Sequence, residues 1–475
     1  MRLPLTAALL AVFPGLLGAQ TLPPGFTYQL ITDNSLIAAC AMAFAPDGRL
    51  FICERHTGNI RIVQYGVLMP GNWATVPCAQ FHPGDHGFLG IAIDPGFLSN
   101  GYVYVYYTTA DALQNRIARL QDVAGSGTGF TILSPNMAIP TGSYPSHNGG
   151  RMVFSRDGTL FVGTSDRTDQ TTPQNMASWC GKVLRFNVPN LTIPANNPFP
   201  GNAVYSLGHR SQFGLAIRPA TGDLYNTEVG DLLMDEMNRI VAGGNYGWPM
   251  HEGTEIVPNP ATVDPLAVYF PTPEPTGVTF YNGTLYPQSY RGSMFFTEFT
   301  AGGVRKVDLN AAGTAVLSES MFDDLGQAFD IQMGPDGHLW VLHNDTPGTR
   351  GADEIGRYVY TGEPNPGINA MVVCNHAVGG AITYGLRGNV GDLVVAWVSL
   401  SAFASPVPTP YGPMWVTPDY VFGLDVIIAD DHTYIPLPVP NSAVFTGQTI
   451  YAQGASIDGV GNIATTANYG TTVMW

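Results

Sequence analysis

Short apolar runs separated by turn residues dominate the first 360 residues of the chain. In runs such as LFIC (residues 50–53) and HLWVL (residues 338–342), the side chains alternate with the period of two that is typical of a strand. The turns between such runs carry PDG, RDG or ATGD, whose residues readily adopt the backbone angles of a tight hairpin. The pattern therefore predicts many short strands joined by hairpin turns.

The same unit occurs six times along the chain. Each copy holds an apolar strand, a turn, a second apolar strand, a polar loop and a third strand. Equivalent points of the copies are 49, 61, 63, 74 and 42 residues apart, at Ala45, Asp94, Ser155, Arg218, Gly292 and Gly334. Units of roughly 40–60 residues with several strands each are the sequence signature of a β-propeller. We therefore predict an all-β protein in which residues 20–361 form a six-bladed β-propeller.

The chain changes character after this repeat region. The glycine- and proline-rich hexapeptide at residues 362–367 predicts a linker. Residues 368–475 lack the repeat, carry few charges and contain strand-like runs such as DLVVAWVSL. Short strands with proline-rich turns over such a length favour a C-terminal β-sandwich.

The amino terminus has the features of a secretory signal peptide, which we expect to comprise residues 1–19. Arg2 precedes the apolar stretch Leu3–Leu17, and the small residues Gly18 and Ala19 follow it. No later stretch is apolar over the ~18 residues that a membrane helix needs. We expect a protein that is secreted or periplasmic, without membrane insertion.

The charge balance narrows the classes of partner. Twenty basic and 36 acidic residues give a formal net charge of −16. A nucleic-acid-binding protein needs a basic face, and an anionic membrane surface attracts basic segments, so neither partner is expected.

The chain has five cysteines, an odd number for an oxidising compartment: Cys40, Cys53, Cys78, Cys180 and Cys374. We expect one or two disulfides and at least one free thiol, with the pairing left open.

Four candidate functional side chains lie in polar loops around the second and third repeats. His147 stands in the loop PSHNGGRM, where an exposed imidazole could act as a general base. Asp85 and His86 lie in HPGDHGFLG, and Asp166 ends the run LFVGTSD. Each of these residues, taken alone, is also compatible with an ordinary surface loop or turn.

The fourth repeat carries the densest group of polar residues. Arg210 precedes its first strand, and four carboxylates follow within nine positions around Gly230, at Glu228, Asp231, Asp235 and Glu236. An oxygen-rich loop with a glycine turn suits calcium, although the spacing is not that of an EF-hand. A solvated acidic loop explains the same residues.

Several longer segments resemble the glucose/sorbosone dehydrogenase family, the soluble aldose dehydrogenases that depend on pyrroloquinoline quinone (PQQ). The matching segments are GDHGFLGIAIDPGF, SHNGGRMVFSRDGTLFVGTSD, GKVLRFNV with IPANNPF, VYSLGHRSQFGLAI and DEMNRIVAGGNYGWP. They occur in the order of the family and cover roughly residues 25–360, so that the likeness rests on several motifs together.

The resemblance implies roles for individual residues. His147 would take the proton from the C1 hydroxyl of a sugar while hydride passes to PQQ, with Asp166 as its partner and Arg210 reaching the quinone. The remaining implied contacts are substrate binding by Asp85 and His86, cofactor binding by Ser211 and Gln327, and calcium binding by Gly230, Asp231 and Glu228. The implied partners are a small sugar and an external electron acceptor. The family does not require the C-terminal domain, for which we separately expect contacts with a protein or a surface.

The chain departs from the family pattern in three respects. Thr300, Gln327 and Phe329 stand near the places of a lysine and two arginines that hold PQQ in related enzymes. Ser146 replaces the acidic residue beside the histidine, and Ser211 replaces an asparagine. Two alternatives to a dehydrogenase follow: a propeller that binds carbohydrate or protein without PQQ, and a calcium-dependent lactonase or hydrolase.

Overall fold

The computed structural model describes most of residues 22–361 and a set of strands beyond them. The gaps before residue 361 are 33–34, 82–83, 135–136, 139–145, 232–233, 255–258, 260, 284, 325 and 344–352. Beyond it the described segments are 370–373, 381–387, 392–409, 412–416, 420–426, 432–438, 449–457, 463–465 and 470–473. The predicted signal peptide (1–19), the predicted linker (362–367) and Cys374 lie outside the described residues.

Residues 22–361 fold almost entirely into short strands. The strands are β1 (Phe26–Thr32), β2 (Ala39–Phe44), β3 (Leu50–Glu54), β4 (Asn59–Gln64), β5 (Val67–Leu68), β6 (Ala74–Thr75), β7 (Phe88–Ile93), β8 (Tyr102–Thr108), β9 (Gln114–Val123), β10 (Ser126–Ile132), β11 (Met137–Ala138), β12 (Gly149–Phe154), β13 (Leu160–Thr164), β14 (Lys182–Phe186), β15 (Val204–Leu207), β16 (Ser211–Ile217), β17 (Leu224–Val229), β18 (Asp235–Ile240), β19 (Ala267–Tyr269), β20 (Pro275–Phe280), β21 (Met294–Glu298), β22 (Gly303–Leu309), β23 (Val316–Asp323), β24 (Ala328–Met333), β25 (Leu339–His343) and β26 (Glu354–Tyr360). The helical elements of this region are the single turns Phe97–Asn100 (α1) and Gln288–Tyr290 (a 3₁₀ turn).

These strands form six antiparallel sheets, which we number as blades 1 to 6. The blades contain β2–β6, β7–β11, β12–β15, β16–β19, β20–β23, and β24–β26 with β1. Their innermost strands, β2, β7, β12, β16, β20 and β24, contact one another in sequence, and β24 returns to β2. The ring confirms the predicted six-bladed β-propeller.

Both ends of this region build the last blade. Strand β1 pairs antiparallel with β26, from Phe26 opposite Tyr360 to Thr32 opposite Ile355. The ring of Phe26 packs edge-on against Tyr286 and Phe322 in the core between blades 5 and 6. Because one sheet joins residues more than 300 positions apart, the ring is closed by backbone hydrogen bonds.

The hydrophobic core is divided into clusters between neighbouring blades. Between blades 2 and 3, for example, Tyr104 and Ile117 pack against Leu160 and Leu184, all of them buried. Corresponding clusters lie between blades 1 and 2, 3 and 4, 4 and 5, 5 and 6, and 6 and 1. Each sheet is therefore apolar on both faces, which matches the continuous burial of strands such as β3, β13 and β25.

Every inner strand is interrupted by a β-bulge near its first residues. The register jumps from Ala39 to Ala41, Phe88 to Gly90, Gly149 to Met152, Gln212 to Gly214, Pro275 to Val278 and Ala328 to Asp330. A bulge changes the direction of the side chains that it carries. Four bulge residues line one small cavity near the axis together with Arg151, namely Cys40, Leu89, Phe213 and Phe329.

The C-terminal strands form separate sheets. The strands are β27 (Ala370–Val373), β28 (Ala381–Arg387), β29 (Leu393–Ser399), β30 (Ala402–Thr409), β31 (Gly412–Val416), β32 (Tyr420–Val426), β33 (His432–Pro438), β34 (Thr449–Ile457), β35 (Ile463–Thr465) and β36 (Gly470–Val473). They pair as β27-β28-β33, as β32-β29-β34-β35 with β36, and as β30-β31. This nearly helix-free arrangement is consistent with the predicted β-sandwich, while its boundaries at residues 368 and 475 stay a prediction.

The expected disulfides are wrong for the four described cysteines. Cys40, Cys53, Cys78 and Cys180 are all free and buried. Burial raises the pKa of Cys40 to about 12, which makes its thiol unreactive at neutral pH.

Among the described residues, no helix has the length and apolar character required to cross a membrane.

Candidate active site

The predicted site residues lie at one end of the propeller ring. His147 comes just before β12 and Asp166 just after β13, and these strands are antiparallel with Gly149 opposite Thr164. Arg210 likewise comes just before β16, opposite the end of β17 at Val229. The loops therefore converge because the first strand of each blade starts where the second one ends.

His147 and Asp166 form a direct pair. The distance from His147 Nδ1 to Asp166 Oδ1 is 2.8 Å, and the side chains are 19% and 1% exposed. Asp166 Oδ1 also accepts the backbone N–H of Thr168 at 2.8 Å, and its Oδ2 accepts the indole N–H of Trp248 at 2.8 Å. A carboxylate only accepts, so the proton of neutral His147 is assigned to Nδ1, which makes Nε2 the basic atom.

The backbone around this pair is held in an unfavourable conformation. His147, Arg167 and Thr168 have φ angles of 59°, 63° and 58°, in the left-handed region that costs non-glycine residues about 1 kcal/mol or more each. The N–H of Arg167 donates to the carbonyl of His147 at 3.1 Å, and the N–H of Asp166 donates to that of Arg210 at 2.7 Å. Backbone hydrogen bonds thus connect the loops that carry the three predicted catalytic residues.

Arg210 lies along the loop that follows β17. Its Nη1 donates to the carbonyls of Val229 (3.1 Å) and Gly230, and its Nη2 donates to Asp231 Oδ1 at 2.8 Å. Its guanidinium carbon is 5.4 Å from the centroid of the Trp248 ring, a cation–π distance. The arginine is therefore fixed on the indole that also binds Asp166.

The predicted calcium ligands are already hydrogen-bonded by the protein. Glu228 Oε1 accepts the backbone N–H of Arg210, and Glu228 Oε2 lies 2.9 Å from Nδ1 of His209. The carbonyl of Gly230 and the carboxylate of Asp231 accept the Arg210 guanidinium. Within the described residues, no three His, Cys, Asp or Glu side chains are arranged around a metal position. In this arrangement a calcium ion at these residues would have to displace the Arg210 guanidinium from Gly230 and Asp231.

A second carboxyl group lies against Glu228. Glu236 is its direct cross-strand neighbour, and burial followed by the charge of Glu228 raises the pKa of Glu236 to about 8. Glu236 is therefore expected to carry a proton at neutral pH.

The two predicted substrate residues have different surroundings. Asp85 Oδ2 accepts the backbone N–H of Asn148 at 3.0 Å, and its Oδ1 accepts the side-chain N–H of Asn148 at 2.5 Å. Asp85 is thus brought next to the loop of His147 and fixes it. His86 is buried, with 4% of its surface exposed.

The predicted cofactor residues Ser211 and Gln327 each lie two positions before a phenylalanine, Phe213 and Phe329. The ring of Phe329 is 6.4 Å from that of Phe213 and 5.7 Å from that of Phe299, edge-on in both cases. Ser211 is buried and Gln327 is half-buried.

Several buried polar atoms here have no hydrogen-bond partner among the described residues. They are Nε of Arg210, Oγ of Ser211, Oγ1 of Thr168 and all three guanidinium nitrogens of Arg167. Buried polar groups normally have a partner. Of these atoms, Nε of Arg210 and Oγ of Ser211 belong to the predicted cofactor residues, and they fit the polar groups of a bound anion such as PQQ.

Sequence reasoning missed four residues around Asp166 and Asp85. The indole N–H of Trp248 and the backbone N–H of Thr168 donate to Asp166, Asn148 donates to Asp85, and Arg167 has a buried guanidinium without a partner among the described residues. All four lie within or next to the motifs GTSDR and GGNYGWP or the loop of His147. The usable signal for Arg167 was a charged side chain directly beside the candidate Asp166 in a chain with only 12% charged residues, whereas no such signal marked the other three.

The comparisons with known proteins agree with this geometry. Residues 36–351 match the family described as glucose/sorbosone dehydrogenase. The aldose sugar dehydrogenase YliI of Escherichia coli K12 is 28% identical over 347 residues, 67% of this chain and 90% of the relative. Quinoprotein glucose dehydrogenase B of Acinetobacter calcoaceticus is 30% identical over 260 residues, 49% of this chain and 54% of the relative.

A solved structure extends the likeness to the fold. The PQQ-bound aldose sugar dehydrogenase of Streptomyces coelicolor is 28% identical, and the match covers 71% of this chain and 99% of that protein with a TM-score of 0.60. Together with the six-bladed ring and the His147–Asp166 pair, these matches lead to one conclusion. The chain belongs to the glucose/sorbosone dehydrogenase family.

Proposed function

We propose that this protein is an extracytoplasmic aldose dehydrogenase that oxidises the C1 hydroxyl of a sugar to a lactone, with PQQ as hydride acceptor. The observation that carries the proposal is the 2.8 Å contact between His147 Nδ1 and a buried Asp166 carboxylate. A histidine oriented in this way by a carboxylate is the arrangement of a general base.

The protein residues handle the proton of the reaction. His147 Nε2 accepts the proton of the C1 hydroxyl, and Asp166 stabilises the imidazolium that results. The C1–H bond is broken with its electron pair, and bound PQQ supplies the two-electron acceptor for that hydride. The balance is one hydride and one proton removed from each aldose, which leaves the lactone.

Arg210, Ser211 and Gln327 are the residues that we propose to hold PQQ. The unpartnered Nε of Arg210 and Oγ of Ser211 support this assignment because a bound ligand would supply the missing partners.

Asp85 and His86 are proposed substrate contacts. Of the two, Asp85 has the better support for this role, because it is hydrogen-bonded to Asn148, the residue that follows His147.

A calcium ion at Gly230, Asp231 and Glu228 is a separate proposal, because it requires Arg210 to release the oxygens of Gly230 and Asp231.

The second candidate function is a propeller that binds carbohydrate or protein without redox chemistry. The observation that favours it is the aromatic contact of Phe329 with Phe213 and Phe299, near where related enzymes carry cations. For either function, we also propose that the protein is exported and that its C-terminal domain contacts a protein or a surface.

Reconstitution with PQQ and an aldose series tests the proposal. Dye reduction by an artificial electron acceptor is expected, and His147→Ala should lower it by roughly 10²–10⁴-fold. The matched control is His56→Ala, which removes a half-buried imidazole that contacts Phe81. PQQ that fails to bind at micromolar concentration, while sugars still bind, would favour the second function.

A further inference from the structure

The indole of Trp248 lies between the two halves of the site. Its Nε1–H donates to Asp166 Oδ2 at 2.8 Å, and the Arg210 guanidinium stands 5.4 Å from its ring centroid. The side chain is 7% exposed. One side chain thus contacts both the partner of the proposed base and the residue proposed to reach the cofactor.

The main chain of Trp248 is fixed on both sides. Its N–H donates to the carbonyl of Gly208 at 3.1 Å, and its carbonyl accepts Nε2 of Gln174 at 2.8 Å. Its position therefore does not depend on a ligand.

We propose that Trp248 is a positioning residue of the dehydrogenase reaction, which orients Asp166 and thereby the Nδ1–H tautomer of His147. This inference rests on the proposed function. Asp166 Oδ1 receives the hydrogen bonds of His147 and Thr168, whereas in the described chain Oδ2 receives only that of Trp248. Without the indole N–H, one oxygen of a carboxylate that is 1% exposed loses its donor, and the carboxylate is free to rotate away from His147.

The protein contains a matched arrangement away from the site. In blade 6 the indole N–H of Trp340 donates to Asp336 at 2.9 Å, and the Arg357 guanidinium is 5.4 Å from its ring centroid. Trp340 is 1% exposed and packs in the cluster between blades 6 and 1. Replacing either tryptophan by phenylalanine removes the same N–H and keeps an aromatic ring under an arginine.

The first experiment compares Trp248→Phe with Trp340→Phe in the PQQ-loaded enzyme. For Trp248→Phe we expect kcat to fall roughly tenfold with KM changed less than about twofold, because a hydrogen bond to a charged group is lost while the ring below Arg210 remains. Trp340→Phe should leave both constants within about twofold of wild type. Equal losses in the two variants, or an unchanged kcat in Trp248→Phe, would overturn the proposal.

The second experiment needs no cofactor and no activity. In protein with ¹⁵N-labelled histidine, the ring nitrogens of His147 should report a proton on Nδ1 in wild type and Trp340→Phe, and a mixture of tautomers in Trp248→Phe. An unchanged His147 spectrum in Trp248→Phe would contradict the proposal. A wild type without dehydrogenase activity would contradict the proposed function alone, since the tautomer measurement still tests the positioning.

A double variant tests whether Trp248 acts through Asp166. If Trp248 acts through Asp166, then adding Trp248→Phe to Asp166→Asn should reduce kcat no further than Asp166→Asn does. A further tenfold loss in the double variant would show an independent effect and overturn the proposal.

Discussion

Arg151 Nη1 lies 2.9 Å from Asp330 Oδ2, and this contact joins opposite blades of the propeller across its axis. Arg151 belongs to the inner strand of blade 3 and Asp330 to that of blade 6. The same guanidinium donates to the carbonyls of Phe213 at 2.6 Å and Cys40 at 2.9 Å, in blades 4 and 1. One side chain therefore connects four of the six inner strands and closes the channel beneath the site.

Removing this guanidinium should destabilise the fold. Arg151→Met leaves the carboxylate of Asp330, which is 2% exposed, without its ion-pair partner, and the loss of one member of a buried pair costs about 3–5 kcal/mol. Chemical unfolding measures this loss. The control is Arg239→Met, which breaks an equally short but more exposed pair with Asp223 and should cost at most about 1 kcal/mol.

A double substitution separates pairing from packing. Because Arg151→Met/Asp330→Leu leaves no unpaired buried charge, it should be more stable than Arg151→Met alone. A double variant that is less stable than this single variant would contradict the argument.

The stability of the fold should depend on the ionisation of Lys182. This lysine is fully buried, its ammonium donates to the carbonyls of Thr172 (2.7 Å) and Cys180 (2.8 Å), and burial lowers its pKa to about 7. Between pH 7 and the ordinary lysine pKa near ~10.4, the unfolded chain binds more protons at this residue than the folded chain does. The contribution of Lys182 to stability should therefore rise with pH across that window.

Unfolding of wild type and Lys182→Met at several pH values checks this expectation. The other titrating groups are common to both proteins, so the difference between their free energies of unfolding isolates Lys182. Wild type should gain relative to the variant from pH 7 to pH 10. A constant difference would show that the lysine keeps its ordinary pKa, and a difference that falls would show that folding raises this pKa; either result would contradict the prediction.

The blades could be predicted from the sequence because each is built from contiguous strands and a local turn. The spacing from Ala45 to Gly334 counted them correctly. The pairing of β1 with β26 was not foreseen, since the run FTYQLIT has no turn of its own and its partner is more than 300 residues away. The expected disulfides failed because sequence spacing does not reveal that Cys40 and Cys53 are buried as thiols in one core cluster.

The sequence predicted the part of the site whose residues flank neighbouring strands of one blade. His147 and Asp166 meet because β12 and β13 are antiparallel neighbours. Trp248 was missed because it reaches Asp166 from the next blade through an irregular connection. Glu228 was expected to hold a metal, but the histidine and arginine of the preceding loop lie within hydrogen-bond distance of its two oxygens.

Arg210 and a cation should compete for the same oxygens. The guanidinium binds the carbonyl of Gly230 and the carboxylate of Asp231, which are also two of the proposed calcium ligands. Replacing it in Arg210→Met frees these oxygens and removes the positive charge that is bound to them. We therefore expect calcium to bind the variant more tightly than wild type.

Calorimetric titration of both proteins with calcium measures this difference. The thermal shift caused by calcium should likewise be larger in the variant, because a ligand stabilises the fold according to its affinity. Binding that is weaker after the substitution would mean that Arg210 is not the competitor and that the calcium proposal must use other oxygens.

The close approach of blades 2 and 3 at Gly90 should be needed for both stability and activity. A Cβ at residue 90 would lie 1.9 Å from the carbonyl oxygen of Gly150, and Gly150 directly precedes Arg151. Gly90→Ala must therefore move the bulge that carries Arg151 and follows the loop of His147, at a cost of about 1–3 kcal/mol.

Gly163→Ala is the control, since its Cβ would come no closer than 3.3 Å to side-chain atoms of Gln212 and Leu215. The expected result is a lower free energy of unfolding and a lower kcat in Gly90→Ala, with both quantities closer to wild type in Gly163→Ala. Equal effects of the two substitutions would mean that the bulge can shift without disturbing His147.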